Sequence, residues 1–357
     1  MTPKYDKVHL KFKLNGNNYN HSELKEVAYS LVKEGVPYEN VIGDFLLDWL
    51  DDKDHLVIRT SGSTGIPKSI KVSKQAMVNS SISTADFFYF KPGNTALHCL
   101  PTQYVAGKMM LVRAMILGLE LDMVEPSANP VFDYAKKYHF GAMVPFQLQN
   151  SLTYCHNIKT MIIGGAPASV QLINQIQNCS TNVYETFGMT ETVSHIAVRK
   201  LNDFKGDKTF ASSYFKTLPS IVISQDDRNC LIINAPKISD EQIVTNDIVK
   251  LHSENEFEWL GRFDNVINSG GIKIFPESIE KTLEDKITKR FFIASEKDET
   301  LGEKVILVIE GETSKLDDSI FDGLNKYEIP KEIYFTYKFS QTANGKIQRS
   351  ETLKSLK

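Results

Sequence analysis

The chain of 357 residues is 41% apolar and 24% charged, with a formal net charge of −3. That length exceeds one ordinary domain, and the apolar share supports a packed core. The near balance of charge removes the electrostatic ground for a nucleic-acid partner, and the most apolar run, MMLVRAMIL at 109–117, is too short for membrane insertion and is broken by Arg113.

The opening MTPKYDKVHLKFKLNG has no apolar signal core. Cys99, Cys155, Cys179 and Cys230 are scattered without a C-x-x-C pair, so reduced thiols in a cytoplasmic protein are expected. HLVIR (55–59) reads as a strand, TSGSTGIPK (60–68) as a loop, and Ser73 as the cap of a following helix. NTALHCL (94–100) reads as a strand and GKMMLVRAMILG (107–118) as a buried helix closed by Gly118. LELDMVE (119–125) precedes PVFDYAKKYH (130–139), whose Pro130 suits a first helical turn. MIIGG (161–165) is a strand, SVQLINQIQN (169–178) a helix, and VYETFG (183–188) follows. Alternation of this kind implies an α/β class with mostly parallel strands flanked by helices. Ligands collect at the carboxyl ends of such strands, so TSGSTGIPK, GGAP and YETFG are expected to line one rim.

Beyond about residue 210 short apolar runs take over: SIVIS (220–224), CLIINA (230–235) and FEWLG (257–261) suit a small antiparallel β unit. The Gly-, Asn- and Asp-rich stretch GRFDNVINSGG (261–271) marks a boundary. Residues 1–261 are therefore expected to form one domain, and 262–357 a small α+β domain. The second would hold a helix opened by Pro276, the strands RFFIAS and KVILVIE, a helix near 317–326 and the strand EIYFTYKF. No internal repeat is visible.

TSGSTGIPK crowds two glycines and four hydroxyls behind an apolar run. Glycines let backbone N–H groups turn toward a common point and hydroxyls add donors, so the loop is suited to wrap a polyphosphate. It is no Walker A loop: G-x-x-x-x-G-K-[ST] occurs nowhere, Gly345-Lys346 is followed by Ile347, and G-x-G-x-x-G is also absent.

TSGSTGIPK at 60–68, YETFGMTET at 184–192, Asp247 in TNDIV, GRFDNVINSGGIKIFPESIE at 261–280 and NGKIQR at 344–349 occur in that order. Together they resemble the core motifs of the adenylate-forming superfamily, which includes acyl- and aryl-CoA ligases, luciferases and peptide-synthetase adenylation domains. The resemblance covers about residues 55–350. It implies a reaction in which a carboxylate attacks the α-phosphorus of ATP, pyrophosphate leaves, and a thiol, usually coenzyme A, then takes the acyl group. It places Ser61, Ser63, Thr64 and Lys68 on the β- and γ-phosphates, with Thr60, Gly62 and Gly65 in the same ATP-binding loop, Thr190 on the α-phosphate, and Glu191 on Mg²⁺, a hard cation that wants oxygen ligands. Gly164, Gly165, Ala166 and Pro167 would lie against adenine, with Tyr184, Glu185 and Thr186 in the same ATP site. Asp247 and Arg262 would take the ribose, and Lys346 would be the adenylation lysine. The C-terminal domain is implied to be mobile, rotating about Asp264, with Gly270 and Gly271 facing the pantetheine tunnel and Lys273 a phosphate or CoA contact. Asp264 as a plain loop acid is the ordinary alternative.

LPTQYVAGKMMLVRAMILG (100–118), MVPFQLQNSL (143–152) and IIGGAP (162–167) resemble the corresponding segments of the o-succinylbenzoate–CoA ligases, the menaquinone-pathway branch. Most members of the superfamily have His where Tyr104 stands, three residues before the Gly matched by Gly107. They also carry well over a hundred residues ahead of the phosphate loop, where this chain has 59, so an amino-terminal subdomain is expected to be cut down. The second carboxylate of such an acid needs a cation or donors, for which Lys108, Arg113, Ser194 and His195 are candidates. Snorkelling by Arg113 and simple packing by His195 are the plainer readings. Another acyl- or aryl-acid CoA ligase, a stand-alone protein loading a carrier thiol, and a non-catalytic nucleotide-binding relative remain alternatives, and oligomeric state is left open.

Overall fold

The computed structural model describes residues 2–59, 69–202, 214–341 and 347–356. Its elements in chain order are β1 (Lys13–Leu14), β2 (Asn17–Asn18), α1 (His21–Glu34), α2 (Pro37–Trp49), β3 (His55–Arg59), β4 (Ser69–Ser73), α3 (Lys74–Phe88), β5 (Thr95–His98), α4 (Val105–Leu117) and β6 (Glu120–Met123). There follow β7 (Tyr138–Met143), α5 (Pro145–Asn150), β8 (Ile158–Ile163), α6 (Val170–Ile176), β9 (Asn182–Gly188), β10 (His195–Lys200), β11 (Phe215–Thr217), β12 (Val222–Gln225), β13 (Cys230–Asn234), β14 (Ile243–Ser253) and β15 (Glu256–Arg262). The chain finishes with β16 (Ile267–Ser269), β17 (Ile272–Ile274), α7 (Pro276–Leu283), β18 (Phe291–Asp298), β19 (Gly302–Glu310), β20 (Glu332–Thr336) and α8 (Arg349–Lys354).

The strands β6-β5-β7-β8-β9 pair in parallel, as the alternating pattern requires. At β9 the sheet changes character: β10 folds back antiparallel, and β11, β15, β14, β13 and β12 continue the same hydrogen-bonded path. The small antiparallel unit is thus an extension of the large sheet. Helices α3 and α4 pack on it and bury Met77, Met110, Leu111 and Met115. Ser73 caps α3, accepting from Ala76 N, and Gly118 ends α4 at φ 70, a left-handed position that glycine takes without steric cost. No helix among the described residues is long and apolar enough to cross a membrane.

Beyond Arg262, β16 to β19 form a separate sheet, with β20 pairing in parallel to β19. Its strands bury alternate residues on opposite faces. Ile293, Val305 and Leu307 meet Ile279 and Leu283 of α7, while Phe292, Ile306 and Val308 meet Phe339.

Four expectations are corrected. First, HLVIR does not enter the parallel sheet: β3 pairs antiparallel with β4, from His55–Ser73 to Arg59–Ser69, so TSGSTGIPK connects the two strands of a hairpin. Second, no helix forms at 130–139. Lys136 Nζ and the Tyr138 hydroxyl both reach Asp122 Oδ2, at 2.7 and 2.8 Å, and this tertiary anchor draws Tyr138 into β7. Third, the helix near 317–326 shrinks to a 3₁₀ turn at Asp318–Phe321. Fourth, only Cys99 and Cys230 are free thiols. A 3₁₀ segment at Leu152–Asn157 brings Cys155 to the end of α6, where it is bonded to Cys179.

A half-buried ion pair ties the start of α3 to the turn that follows α2. Lys74 is fully buried, with Nζ 2.7 Å from Asp51 Oδ1 and 3.0 Å from Asp51 O. Burial pushes the Asp51 carboxyl up, but hydrogen bonds from Lys74 and Lys53 outweigh it and bring it down to about 2. A carboxyl depressed on folding contributes stability above its unfolded value, near 4, and loses it as pH falls toward the folded one. Urea unfolding should therefore show the wild type losing about 1 to 2 kcal/mol more than Asp51→Asn between pH 4 and pH 2. Parallel curves for the two proteins would remove this role for the pair.

Candidate active site

At the carboxyl end of β8 the chain turns through Gly164, Gly165, Ala166 and Pro167 before Ser169 caps α6, accepting from Leu172 N at 3.1 Å. In the parallel register Ile163 lies opposite Glu185 of β9, so this turn and the end of β9 share one edge. Thr186 donates from Oγ1 to Ile163 O at 3.0 Å, and a Cβ on Gly164 would stand 2.3 Å from that hydroxyl, which only glycine avoids. Gly165 sits at φ 84, the left-handed region.

Glu185 is placed otherwise than expected. It is buried, its Oε1 accepting from Ala168 N at 3.0 Å and its Oε2 pairing with Arg199 Nε at 2.5 Å. Both oxygens are engaged within the protein, so Glu185 braces the Gly-Gly turn against β10 and presents no free carboxylate. Strand alternation explains the difference: Tyr184 and Thr186 are half-buried on the opposite face of β9. Tyr184 packs edge-on to Phe88 of α3 at 5.0 Å between ring centres.

Between β9 and β10 the chain makes a tight turn. A Cβ on Gly188 would fall 2.5 Å from His195 Cα and from Ser194 O. The buried Thr192 hydroxyl accepts from Met189 N at 2.9 Å and lies 2.8 Å from Ser194 O, tying both sides of the turn together. Thr190 stands half-buried beside it, and Glu191 is exposed at the tip. Among the described residues the Glu191 carboxylate has no hydrogen-bond or ion-pair partner. A free carboxylate on a rigid turn fits a hard divalent cation.

The two cations of α4 point to different neighbours. Lys108 places Nζ 4.9 Å from the ring centre of Phe45 in α2. Burial lowers its pKa, with Asp48 and Asp44 opposing the shift. Five residues are about 140° around a helix, and Arg113 accordingly faces α3 and β10. Lys108 therefore stands apart from Arg113, Ser194 and His195. Arg113 is 2% exposed. Its Nη2 lies 3.4 Å from Ser194 Oγ and from His195 Nδ1, and its Nε donates to Thr84 Oγ1 at 3.4 Å. Ser194 Oγ meets Ser80 Oγ at 2.6 Å, and Thr84 Oγ1 lies 3.4 Å from His195 Nε2. No carboxylate pairs with Arg113 among the described residues. Burial alone pushes its guanidinium down to about 9, and burial plus the Arg113 charge hold His195 well below its ordinary value, hence neutral near pH 7. Tyr104 occupies the cap of α4 and is partly exposed, while Gly107 lets that helix start against Pro101, whose carbonyl oxygen a Cβ would meet at 2.4 Å.

Asp247 of β14 pairs in register with Arg262 of β15. Arg262 bridges two acids, with Nη1 at 3.4 Å from Asp247 Oδ2 and Nη2 at 3.3 Å from Asp264 Oδ2. Asn246 Nδ2 reaches both Asp264 oxygens at 3.4 Å, and Arg228 Nη1 donates to Asn246 Oδ1 at 3.1 Å. Asp264 is thus linked by polar contacts to Asn246 and Arg262, on either side of the boundary expected at 261/262. Gly270 and Gly271, at φ 59 and 83, form the two-residue turn of the β16–β17 hairpin, and Lys273 beyond it is exposed.

Thr60, Ser61, Gly62, Ser63, Thr64, Gly65, Lys68 and Lys346 lie outside the described residues. Their stems are inside: Arg59 pairs with Ser69, and Gln341 with Ile347. Sequence reasoning missed Ser80 and Thr84, for which the run of hydroxyls in SSIST (80–84) was the available signal, and it missed the Arg199–Glu185 pair.

Residues 23–225 match the AMP-binding enzyme family. The 2-succinylbenzoate–CoA ligase of Lactococcus lactis is 26% identical over 326 residues, covering 85% of this chain and 72% of that protein. The enzyme of the same name from Listeria monocytogenes is 25% identical, covering 94% of this chain and 75% of that protein. Among solved structures, an acyl-CoA synthetase (AMP-forming)/AMP-acid ligase II-like protein from Dyadobacter fermentans is 37% identical, with a TM-score of 0.61 over 93% of this chain and 98% of its own. An o-succinylbenzoate CoA synthetase from Bacillus subtilis, in complex with its acyl-adenylate intermediate, shares the fold at 22% identity, with a TM-score of 0.69 over 83% of this chain and 68% of its own. With the family match spanning more than half of its length and a full-length structural relative above 30% identity, the chain belongs to the AMP-binding enzyme family.

Proposed function

We propose that this enzyme activates a carboxylic acid with ATP, releases pyrophosphate, and passes the acyl group from the adenylate to coenzyme A, with o-succinylbenzoate as the acid and menaquinone biosynthesis in the cytoplasm as its setting. The observation that carries the choice of acid is Arg113. A guanidinium this deeply buried is costly unless an anion pairs with it, and only three neutral groups, the hydroxyls of Thr84 and Ser194 and the imidazole of His195, lie at 3.4 Å from it. Ser194 and His195 follow Glu191 by three and four residues, which links the cation to the turn proposed for the reacting phosphate. An acid with a second carboxylate supplies the missing charge. The curated relatives named for 2-succinylbenzoate support the same reading.

In the first half-reaction an acid oxygen bonds to the α-phosphorus while the bond to the pyrophosphate oxygen breaks. Thr60 to Gly65 and Lys68 hold the departing phosphates, Thr190 meets the α-phosphate, and Lys346 brings a positive charge as negative charge grows on the oxygens. Mg²⁺, held by Glu191, would offset phosphate charge when bound. The adenine lies on Gly164, Gly165, Ala166 and Pro167, beside Tyr184 and Thr186, with Glu185 bracing that turn; Asp247 and Arg262 take the ribose. In the second half-reaction the CoA sulfur bonds to the acyl carbon, its proton leaves, and AMP departs. Residues 1–261 and 262–357 act as two units turning about Asp264, and Tyr104, Gly107, Gly270, Gly271 and Lys273 line the thiol approach in the second pose. Lys108, pointed at Phe45, has no part in it.

Two experiments test this reading. In ATP–pyrophosphate exchange over a panel of acids, o-succinylbenzoate should be the best substrate. Arg113→Met should raise its KM by about 10²-fold while leaving the analogue without the ring carboxylate nearly unchanged; equal losses for both acids would remove the subsite. Lys346→Ala should slow adenylate formation by about 10²–10³-fold, while thioester formation from supplied acyl-adenylate and free CoA changes little. Equal slowing of both steps would refute the role of Lys346, and failure to use free CoA would point to a carrier-bound thiol.

A further inference from the structure

The strands β14 and β15 pair as Asp247–Arg262 and Ile248–Gly261, yet the next pair is Val249–Trp259. One residue of β15, Leu260, is therefore extra. Side chains alternate across a strand, so without this bulge Trp259 would point to the face opposite Arg262. The bulge re-aims it onto the face that carries Asp247. There the indole Nε1 donates to Asp247 Oδ1 at 3.0 Å, a better hydrogen bond than the 3.4 Å contact of Arg262 with Oδ2. Asp247 is 6% exposed, and its backbone N–H is also tied, to Thr245 Oγ1 at 3.0 Å. The carboxylate is consequently fixed through one oxygen, and the other is held only loosely.

We propose that Trp259 is a positioning residue for sugar recognition: its indole N–H locks the Asp247 carboxylate so that Oδ2 is presented to the ribose hydroxyls of the nucleotide. The inference rests on the reading of Asp247 as the ribose acid. An indole suits the task because it is a donor with no acceptor capacity, so it cannot compete for the sugar's protons. Its large apolar body, packed beside Phe257 and Val249, keeps the donor from swinging away.

The test is calorimetric binding of ATP and of 2′,3′-dideoxy-ATP to the full chain, as wild type, Trp259→Phe and Asp247→Asn. The wild type should prefer ATP. Trp259→Phe should weaken ATP about tenfold and leave the dideoxy nucleotide within about twofold, since the indole acts only through the hydroxyls. A Trp259→Phe penalty equal for the two nucleotides, or no penalty, overturns the proposal while Asp247 keeps its role, provided Asp247→Asn still abolishes the preference. A wild type that fails to prefer ATP removes the ribose reading itself and the inference with it. Should Trp259→Phe not fold, the ¹⁵N indole spectrum of the wild type decides. With two tryptophans it has two N–H signals, and the one that shifts in Asp247→Asn should move with ATP and stay with dideoxy-ATP. If ATP moves neither signal, the proposal falls.

Discussion

Parallel pairing of β8 with β9 is the constraint on which the candidate site depends. It brings the Gly164–Pro167 turn and the Gly188–Ser194 turn to one edge. The pairing is held locally by very short distances. Gly164 leaves no room for a Cβ against Thr186, Gly188 none against His195, and Glu185 pins Ala168 from below while Arg199 neutralises it. Precision at this edge comes from glycines and one buried ion pair, with the apolar core supplying bulk rigidity.

The protein handles buried charge in two ways. Glu185 has its countercharge built in, and Asp247 has Arg262 and Trp259. Arg113 has neither, only neutral donors and acceptors around it. Cations left this way are rare because desolvation opposes them. The contrast separates residues that hold the fold from one that the fold itself holds in readiness.

Motifs with fixed residue types were legible in the sequence, and so was the strand–helix alternation around β5 to β9. Their physics is local: apolar runs bounded by glycine, caps, turns. What failed was decided by partners far away in the chain. PVFDYAKKYH has helix-compatible residues, but Asp122 captures Lys136 and Tyr138 and makes a strand. SIKVS was overlooked as a strand because its pairing partner lies across the loop. Glu185 sits inside a motif whose neighbours face the edge, and only alternation along β9 sends it inward. The bulge at Leu260 has no signature at all in a single sequence, because a slip of register is a property of two strands.

Among the described residues the hairpin β3–β4 forms a two-stranded sheet with no ladder to the large one. Leu56, Ile58 and Val72 pack it onto the core. An isolated pair of strands is only marginally stable, and apolar contacts are non-directional where backbone hydrogen bonds are not. What seats this hairpin is therefore side-chain fit, and its position answers to the shape of the apolar surface beneath it rather than to the register of the main ladder.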